Sequence, residues 1–359
     1  MKIIVNARFL TQTITGVQRF AIELSKKLKK HSDFDVEFVS PRGIINNEIA
    51  AELDVKTIGF FSGHLWEQID LPVYLKKNKG FLLSLCNTAP VFYKNQIVTH
   101  HDITYIKYPE SFSKKFIAFY KIIVPLILKN SKKIITVSQF SKSEISNYYR
   151  IPEEKFTIIY NGVDKNKFTP LKTQNSSDRK YILAVSSQNF HKNFHGLISA
   201  FRNIKDHLTE IDLFIVGSSN GKSFNDLDLN VSDLKEEGRI HFLGRVNDKE
   251  LVQLYQNAWL FIFPSLYEGF GIPPLEAQSS GCPVIVSDKA SMPEILNDSV
   301  LYFDPYASLN LEEKILLFYN NNELREELVK KGLENSEKFS WEKSAETLCK
   351  MIIIEYFAK

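Results

Sequence analysis

Short runs of apolar residues recur along the whole chain, separated by longer stretches of helical periodicity. In the first half they are Ile3–Val5, Val36–Val39, Phe81–Cys86, Ile97–Thr99, Ile134–Val137 and Thr157–Tyr160. In the second half they are Tyr181–Val185, Leu213–Val216, Ile240–Leu243, Leu260–Phe263, Val284–Val286 and Leu301–Phe303. Runs this short, without polar alternation, suit strands buried on both faces, as in a parallel sheet. Between the first two, Val17, Phe20, Ala21, Leu24 and Leu28 form one apolar stripe at helical spacing. Ser141 with Glu144, Asn247 with Glu250 and Ser291 with Glu294 each place a capping residue three positions before a glutamate, which marks a helix start. Strand alternating with helix predicts a doubly wound α/β architecture, and two sets of about six strands predict two such domains.

The length of 359 residues agrees, being too great for one ordinary core. The expected division is residues 1–165 and residues 166–338, with the polar stretch from Lys165 to Lys180 as linker. Residues 339–359 read as an amphipathic helix with Ser340 as its N-cap. Periodicity does not decide whether it packs on the second domain or crosses back to the first. The longest apolar stretch, Phe116 to Leu128, is interrupted by Lys121 and Pro125 and does not suit a membrane span. Asn6 and Arg8 fall where a signal peptide would be apolar. Cys86, Cys282 and Cys349 are isolated in sequence and fit neither a disulfide framework nor a zinc site, so they read as reduced thiols of a cytosolic protein.

The net charge of +3 hides an asymmetry. Residues 1–165 carry 24 Lys and Arg against 15 Asp and Glu, a difference of +9, and the remainder carries 21 against 27, a difference of −6. A basic first half suits phosphate groups or an anionic membrane surface, or else only a lysine-rich solvated face. Within it, the segment Ser111 to Lys133 mixes Lys114, Lys115, Lys121, Lys129, Lys132 and Lys133 with Phe112, Phe116, Phe119 and Tyr120. Such a helix either lies on the inner face of an anionic membrane or turns its aromatics into the core. No nucleic-acid partner is called for.

The stretch from Phe263 to Ala277 carries the chemistry. A strand ends near Phe263, a glycine-containing loop follows, and Pro273 and Pro274 suit a first helical turn. A loop there lies at the carboxyl end of a strand, where open α/β sheets bind ligands. Backbone N–H groups of Phe270, Gly271 and Ile272 would face a phosphate at the helix N-terminus. Glu268 and Glu276 flank that anion site, and a carboxylate can accept two hydroxyl hydrogen bonds at once, which suits a ribose diol or a sugar. Either glutamate taken alone would pass for an ordinary helix-start residue.

Glu268 and Glu276, with Gly-Phe-Gly between them, resemble the E-x7-E motif of the retaining glycosyltransferase family 4. The resemblance runs nearly end to end. Asn6-Ala7-Arg8 and Thr15 to Arg19 resemble the family's N-terminal sugar-phosphate loop, and Val98 to Asp102 its His-Asp strand end. Thr136-Val137-Ser138, Tyr160 to Asp164 and His191-Lys192-Asn193 resemble further markers. The resemblance implies a GT-B fold, with two Rossmann-like domains facing each other across a cleft. It implies a nucleotide-sugar donor, UDP- or GDP-linked, and a saccharide or lipid-linked saccharide acceptor bound by the first domain. Among relatives it is nearest to those building bacterial surface polysaccharides. It implies retention of anomeric configuration, no metal ion and no cofactor.

Residue by residue, the resemblance implies that Glu276 holds the ribose, Glu268 contacts the transferred sugar and Lys192 binds the diphosphate. His101 would reach the sugar, and Gly16 would let the backbone approach the donor phosphate. Many relatives carry an arginine five residues before the lysine, where this chain has Ser187. Either Ser187 and Lys192 suffice, or Arg8, Arg19 or Arg245 compensates. A nucleotide-sugar epimerase and a non-catalytic sugar-nucleotide-binding partner would share the architecture.

Overall fold

The computed structural model describes residues 2–31, 33–171, 180–187, 189–217, 238–307 and 309–357. The stretch Gln174 to Asp178, at the heart of the linker reading, lies outside them. Two compact units emerge. The first comprises residues 1–106, 112–162 and 341–359, and the second residues 107–111 and 163–340.

Each unit is built on one parallel sheet. The first holds β1 (Lys2–Asn6), β2 (Asp35–Ser40), β3 (Lys56–Thr57), β4 (Phe81–Ser84), β5 (Gln96–Thr99), β6 (Lys133–Thr136) and β7 (Phe156–Ile158), in the order β3-β2-β1-β4-β5-β6-β7. The second holds β8 (Lys180–Val185), β9 (Ile211–Val216), β10 (Ile240–Gly244), β11 (Leu260–Phe263), β12 (Val284–Ser287) and β13 (Leu301–Phe303), in the order β10-β9-β8-β11-β12-β13. All twelve apolar runs are strands, and every pairing among the described strands is parallel. The sequence signal missed β3, a two-residue edge strand with both residues exposed, which needs no apolar pattern. Central strands such as β4, β11 and β12 are buried along their whole length, which is why they read as continuous apolar runs.

The helix starts hold unevenly. Asn247 and Glu250 form a reciprocal capping box on the helix Asp248–Asn257. Ser141 lies inside the helix Gln139–Tyr149, whose cap is Ser138, with its hydroxyl accepting from the Ser141 N–H at 2.9 Å. Ser291 does precede the helix Met292–Leu296, but its hydroxyl leaves the helix and donates to the Glu268 carbonyl at 3.0 Å. The stripe on Gly16–Lys29 is the buried face of that helix at Phe20, Ala21, Leu24 and Leu28.

The last helix, Trp341–Phe357, belongs to the first unit. The Trp341 ring meets Phe20 edge-on at 6.3 Å, Ser344 Oγ donates to the Tyr160 carbonyl at 2.6 Å, and Tyr356 packs on Phe81 at 6.0 Å.

The basic aromatic segment forms the helix Lys114–Asn130. Its aromatics turn inward: Phe112, Phe116 and Tyr120 stack in series, at 5.3 Å and 4.0 Å between centroids, and Phe119 packs on His64 at 4.6 Å. The outward face instead carries Lys114, Lys115, Lys121, Ile122, Leu126 and Lys129. Among the described residues no helix is long and apolar enough to cross a membrane. The three cysteines are unpaired; Cys282 and Cys349 are buried, and burial raises all three thiols above their ordinary range, which leaves them inert at neutral pH.

His100 and His101 follow β5 into the buried edge of the first sheet. His100 Nε2 pairs with the Tyr105 hydroxyl at 3.1 Å, and the His101 backbone N–H donates to Asn87 Oδ1 at 2.9 Å. Burial pushes both imidazoles down from 6.5 to about 4. Between those values the unfolded chain binds protons that the folded chain refuses, so stability falls as pH drops from 6.5 towards 4. The melting temperature should therefore decline across that window, and less steeply in His100→Asn than in wild type. Parallel slopes for the two proteins, followed by scanning calorimetry, would remove this account.

Candidate active site

Parallel pairing sends every carboxyl end in a sheet to one edge, and the order of the second sheet reverses direction between β8 and β11. That break is where open α/β sheets accept ligands. After β8 the chain runs through Ser187 and a turn of 3-10 helix, Phe190–Lys192, to Asn193. After β11 it runs through Glu268 to the helix Ile272–Ser279. The Asn193 amide crosses between the two loops and donates to the Pro264 carbonyl at 3.2 Å, while the Leu266 N–H donates to the His191 carbonyl at 2.7 Å. Asn193 has φ 56° and ψ 34°, a left-handed conformation that its short side chain tolerates.

These ties bring Lys192 and Glu268 together. The ammonium lies 2.6 Å from Glu268 Oε1, and both side chains are about one-seventh exposed. The sequence had assigned the pair to different parts of a ligand; in the free protein they neutralise each other. Beside them His191 is buried, and burial together with the Lys192 charge lowers it to about 2. It is a neutral partner of Ser111 Oγ at 2.8 Å.

The helix after Glu268 is preceded by Gly271 at its N-cap, with φ +90°, where an added Cβ would lie 2.4 Å from Met292 Cε. The left-handed φ favours glycine there, and any side chain would also have to displace the end of Met292. Phe270 is buried and meets Phe339 edge-on at 5.7 Å, so its side chain anchors the loop. Ile272 opens the helix, and Pro273 and Pro274 follow without N–H groups, so few donors remain at this terminus to face a ligand. Glu276 lies one turn in, 7% exposed, and its Oε2 accepts from the Tyr255 hydroxyl at 3.2 Å. Burial and the Glu276 charge raise the Tyr255 hydroxyl well above its ordinary range, so it stays a donor.

Other expected residues sit elsewhere. Ser187 is exposed at the end of β8, its hydroxyl accepting from Asn189 Nδ2 at 3.3 Å. Arg245 follows β10 on the same carboxyl edge, where β8, β9 and β10 are joined by Ser186 N–H to Val216 O at 3.0 Å and Gly217 N–H to Gly244 O at 2.8 Å. Arg8, Arg19, His101 and Gly16 belong to the first unit. Arg8 is buried and ion-paired to Glu67 at 3.3 Å. His101 is buried with its Nε2–H directed at the Leu85 carbonyl, 3.4 Å away. Gly16 is the exposed first residue of its helix, and it is not among the residues with positive φ. Its backbone freedom is not used there; only its lack of a side chain can matter.

Residues 166–335 match the family model for glycosyl transferases group 1, and residues 14–167 match glycosyltransferase family 4. The O-antigen chain mannosyltransferase RfbU of Salmonella typhimurium is 31% identical over 320 residues, covering 84% of this chain and 86% of that protein. This chain belongs to the family 4 glycosyltransferases. The O-antigen chain mannosyltransferase B of Escherichia coli is 27% identical across 95% of the glycosyltransferase and 97% of its own length. Among solved structures, sucrose-phosphate synthase from Thermosynechococcus elongatus superposes with a TM-score of 0.78 at 17% identity, covering 99% of both chains. Anabaena Alr3699/HepE in complex with UDP and glucose superposes with a TM-score of 0.78 at 19% identity, covering 98% of this chain and 99% of that one. At such identities these likenesses establish the GT-B fold.

Three residues of this glycosyltransferase's site escaped the sequence reading. Tyr255 holds Glu276, Asn193 joins the loops, and Ser291 fastens the Glu268 backbone. Asn193 stood inside a recognised motif, and its side-chain type at a strand–helix junction was an available signal. Tyr255 gave none and Ser291 signalled only a helix start, because their site partners are distant in sequence.

Proposed function

We propose that this enzyme transfers a hexose, mannose first among candidates, from a UDP- or GDP-linked donor to a saccharide or lipid-linked saccharide acceptor, with retention of configuration and without a metal ion or cofactor. The observation carrying this reading is the Lys192–Glu268 pair at the break in the second sheet, beside the helix that opens at Ile272. The mannose assignment is supported by the two relatives named as mannosyltransferases.

The chemistry follows from the pair. A diphosphate entering the site offers Lys192 more negative charge than one carboxylate does, so the ammonium transfers to the phosphates. Glu268 is thereby released to accept hydrogen bonds from sugar hydroxyls next to the reacting carbon. As the glycosidic bond breaks, charge grows on the leaving diphosphate, and Lys192 stabilises it, with a smaller share from the N–H groups left at the helix entry. Ser187 contributes a hydroxyl, and Arg245 is the candidate cation on the same sheet edge. Glu276, fixed by Tyr255, takes the ribose hydroxyls. His101, kept neutral by burial, acts through hydrogen bonding to the sugar and not as a proton donor. Gly16 permits close backbone approach to the donor phosphate.

The two glutamates separate the roles. Ribose binding changes little between ground and transition states, so Glu276→Ala should weaken nucleoside diphosphate binding by roughly 10–150-fold, from a charged hydrogen bond of about 1.5–3 kcal/mol, with kcat mostly kept. Glu268→Ala should lower kcat at least about 100-fold. Its nucleoside diphosphate affinity should be no weaker than wild type, because Lys192 loses its competitor. Calorimetry with GDP and UDP, and initial rates with GDP-mannose and UDP-hexoses, measure both. Loss of nucleotide binding in Glu268→Ala but not in Glu276→Ala would reverse the assignment.

Charge stabilisation by Lys192 in place of a metal ion predicts equal turnover in excess EDTA and in added magnesium or manganese. A drop beyond about tenfold, or roughly 1.4 kcal/mol of barrier, would contradict it.

The enzyme's first unit is further proposed to rest on an anionic membrane at its inner face. Support comes from Lys114, Lys115, Lys121 and Lys129 sharing the outward helix face with Ile122 and Leu126, which are 69% and 44% exposed. Each lysine near such a surface is worth roughly 1 kcal/mol. The protein should sediment with phosphatidylserine-containing liposomes, and 0.5 M salt or Lys121→Glu with Lys129→Glu should release it. Salt-insensitive binding, or none, would eliminate this surface as the contact.

A further inference from the structure

The first sheet reverses direction between β1 and β4, as the second does between β8 and β11. At the second break the enzyme holds the Lys192–Glu268 pair, and at the first it holds a second cation–carboxylate pair with more partners. Arg8, two residues past β1, directs Nη2 to Thr88 Oγ1 at 2.8 Å, just past the end of β4. Its Nε donates to Glu67 Oε1 at 3.3 Å, and Asn6 Nδ2 donates to the same oxygen at 2.8 Å. Glu67 is fully buried, from the helix Gly63–Gln68. Its other oxygen, Oε2, lies 3.3 Å from His64 Nδ1.

Burial alone would raise the Glu67 pKa, but the charge of Arg8 and the hydrogen bond from His64 bring it down to about 2. The carboxylate is therefore ionised and can only accept, so the bond between them runs from His64 Nδ1–H to Glu67 Oε2 and leaves Nε2 on the far side of the ring. The ring is held against Phe119 at 4.6 Å and edge-on to Tyr120 at 6.5 Å, and the side chain is 36% exposed. The His64 ring is thus held by a buried support, with Nε2 directed away from it. Arg8 and Glu67 cancel in charge, so the cluster favours a neutral hydroxylated ligand over an anionic one. The preceding loop is rigid too: the Phe60 and Phe61 N–H groups both donate to Asp70 Oδ2, at 2.9 and 2.8 Å.

We propose that His64, positioned by Glu67 and Arg8, hydrogen-bonds a hydroxyl of the acceptor saccharide through Nε2, making the β1/β4 break the acceptor-sugar subsite. The assignment rests on the glycosyl-transfer reading above and adds the residues that choose the acceptor. His64 touches the substrate; Glu67 acts through it as a positioning residue.

The test uses the full-length enzyme with p-nitrophenyl α- and β-hexosides as surrogate acceptors, and with the nucleotide sugar that wild type hydrolyses or transfers best. His64→Ala should raise the acceptor KM about tenfold, the loss of one hydrogen bond, while donor KM, nucleoside diphosphate affinity and donor hydrolysis to water stay at wild-type values. His64→Gln, which can present an oxygen near the Nε2 position, should recover part of that loss. In Glu67→Gln the nitrogen-15 spectrum of the His64 ring should lose its uniform Nδ1–H form, and acceptor KM should rise with it, a change that mere loss of stability would not produce. Hexosides that bind should shift the His64 ring resonances. An unchanged acceptor KM in His64→Ala, or hexosides that move neither the rates nor those resonances, would overturn the assignment while donor hydrolysis still upheld glycosyl transfer. A wild type that neither binds nucleoside diphosphates nor cleaves any donor would overturn both.

Discussion

Parallel pairing is the constraint on which the rest of the enzyme depends. A parallel sheet must return each strand to the same end, so all loops after the strands collect on one edge and all loops before them on the other. Chemistry scattered across more than seventy residues of sequence, Lys192 and Glu268, then meets at a single point. The meeting is not left to the sheet alone. Asn193 binds the Pro264 carbonyl, and Ser291 binds that of Glu268, so both loops are fastened through their backbone and not through the charged tips.

The same logic governs how charge is stored without ligand. An isolated buried ion is expensive, so buried charges occur in pairs or with strong hydrogen-bond donors. Lys192 is neutralised by Glu268, Glu276 is satisfied in part by Tyr255, and Glu67 is surrounded by Arg8, Asn6 and His64. The three arrangements differ in access. Glu67 is sealed and acts as a fixed support, whereas the Lys192 and Glu268 tips retain some exposure. A sealed pair suits orientation of a neighbour, and an accessible pair suits exchange with an entering anion. His101 and His191 show the third solution, in which burial removes the charge altogether.

Several local signals in the chain were sufficient on their own. Continuous apolar runs located the strands because strands covered on both faces have no reason to alternate. Asn247 and Glu250 announced a helix start through bonds that span only three residues. Pro273 and Pro274 announced the first turn of the helix Ile272–Ser279, because that turn leaves its N–H groups without helical partners and proline has none to lose. Ser141 misled for an instructive reason: Ser138, three residues earlier, offered an equally good cap, and local sequence does not rank the two.

What the sequence determined by itself was therefore all the described strands but β3, their burial, and the prolines and glutamates of the helix entry, since each is dictated by bonds or sterics within a few residues. Tertiary structure alone decided the partners. Glu268 pairs with Lys192 at a separation of 76 residues and Glu67 with Arg8 at 59, and neither follows from periodicity, because strand order is set by packing across the whole sheet. The helix Lys114–Asn130 makes the same point in one element. Its spacing fixed which residues share a face, but only the core beside it decided that the aromatics turn inward and that Ile122 and Leu126 stay with the lysines outside.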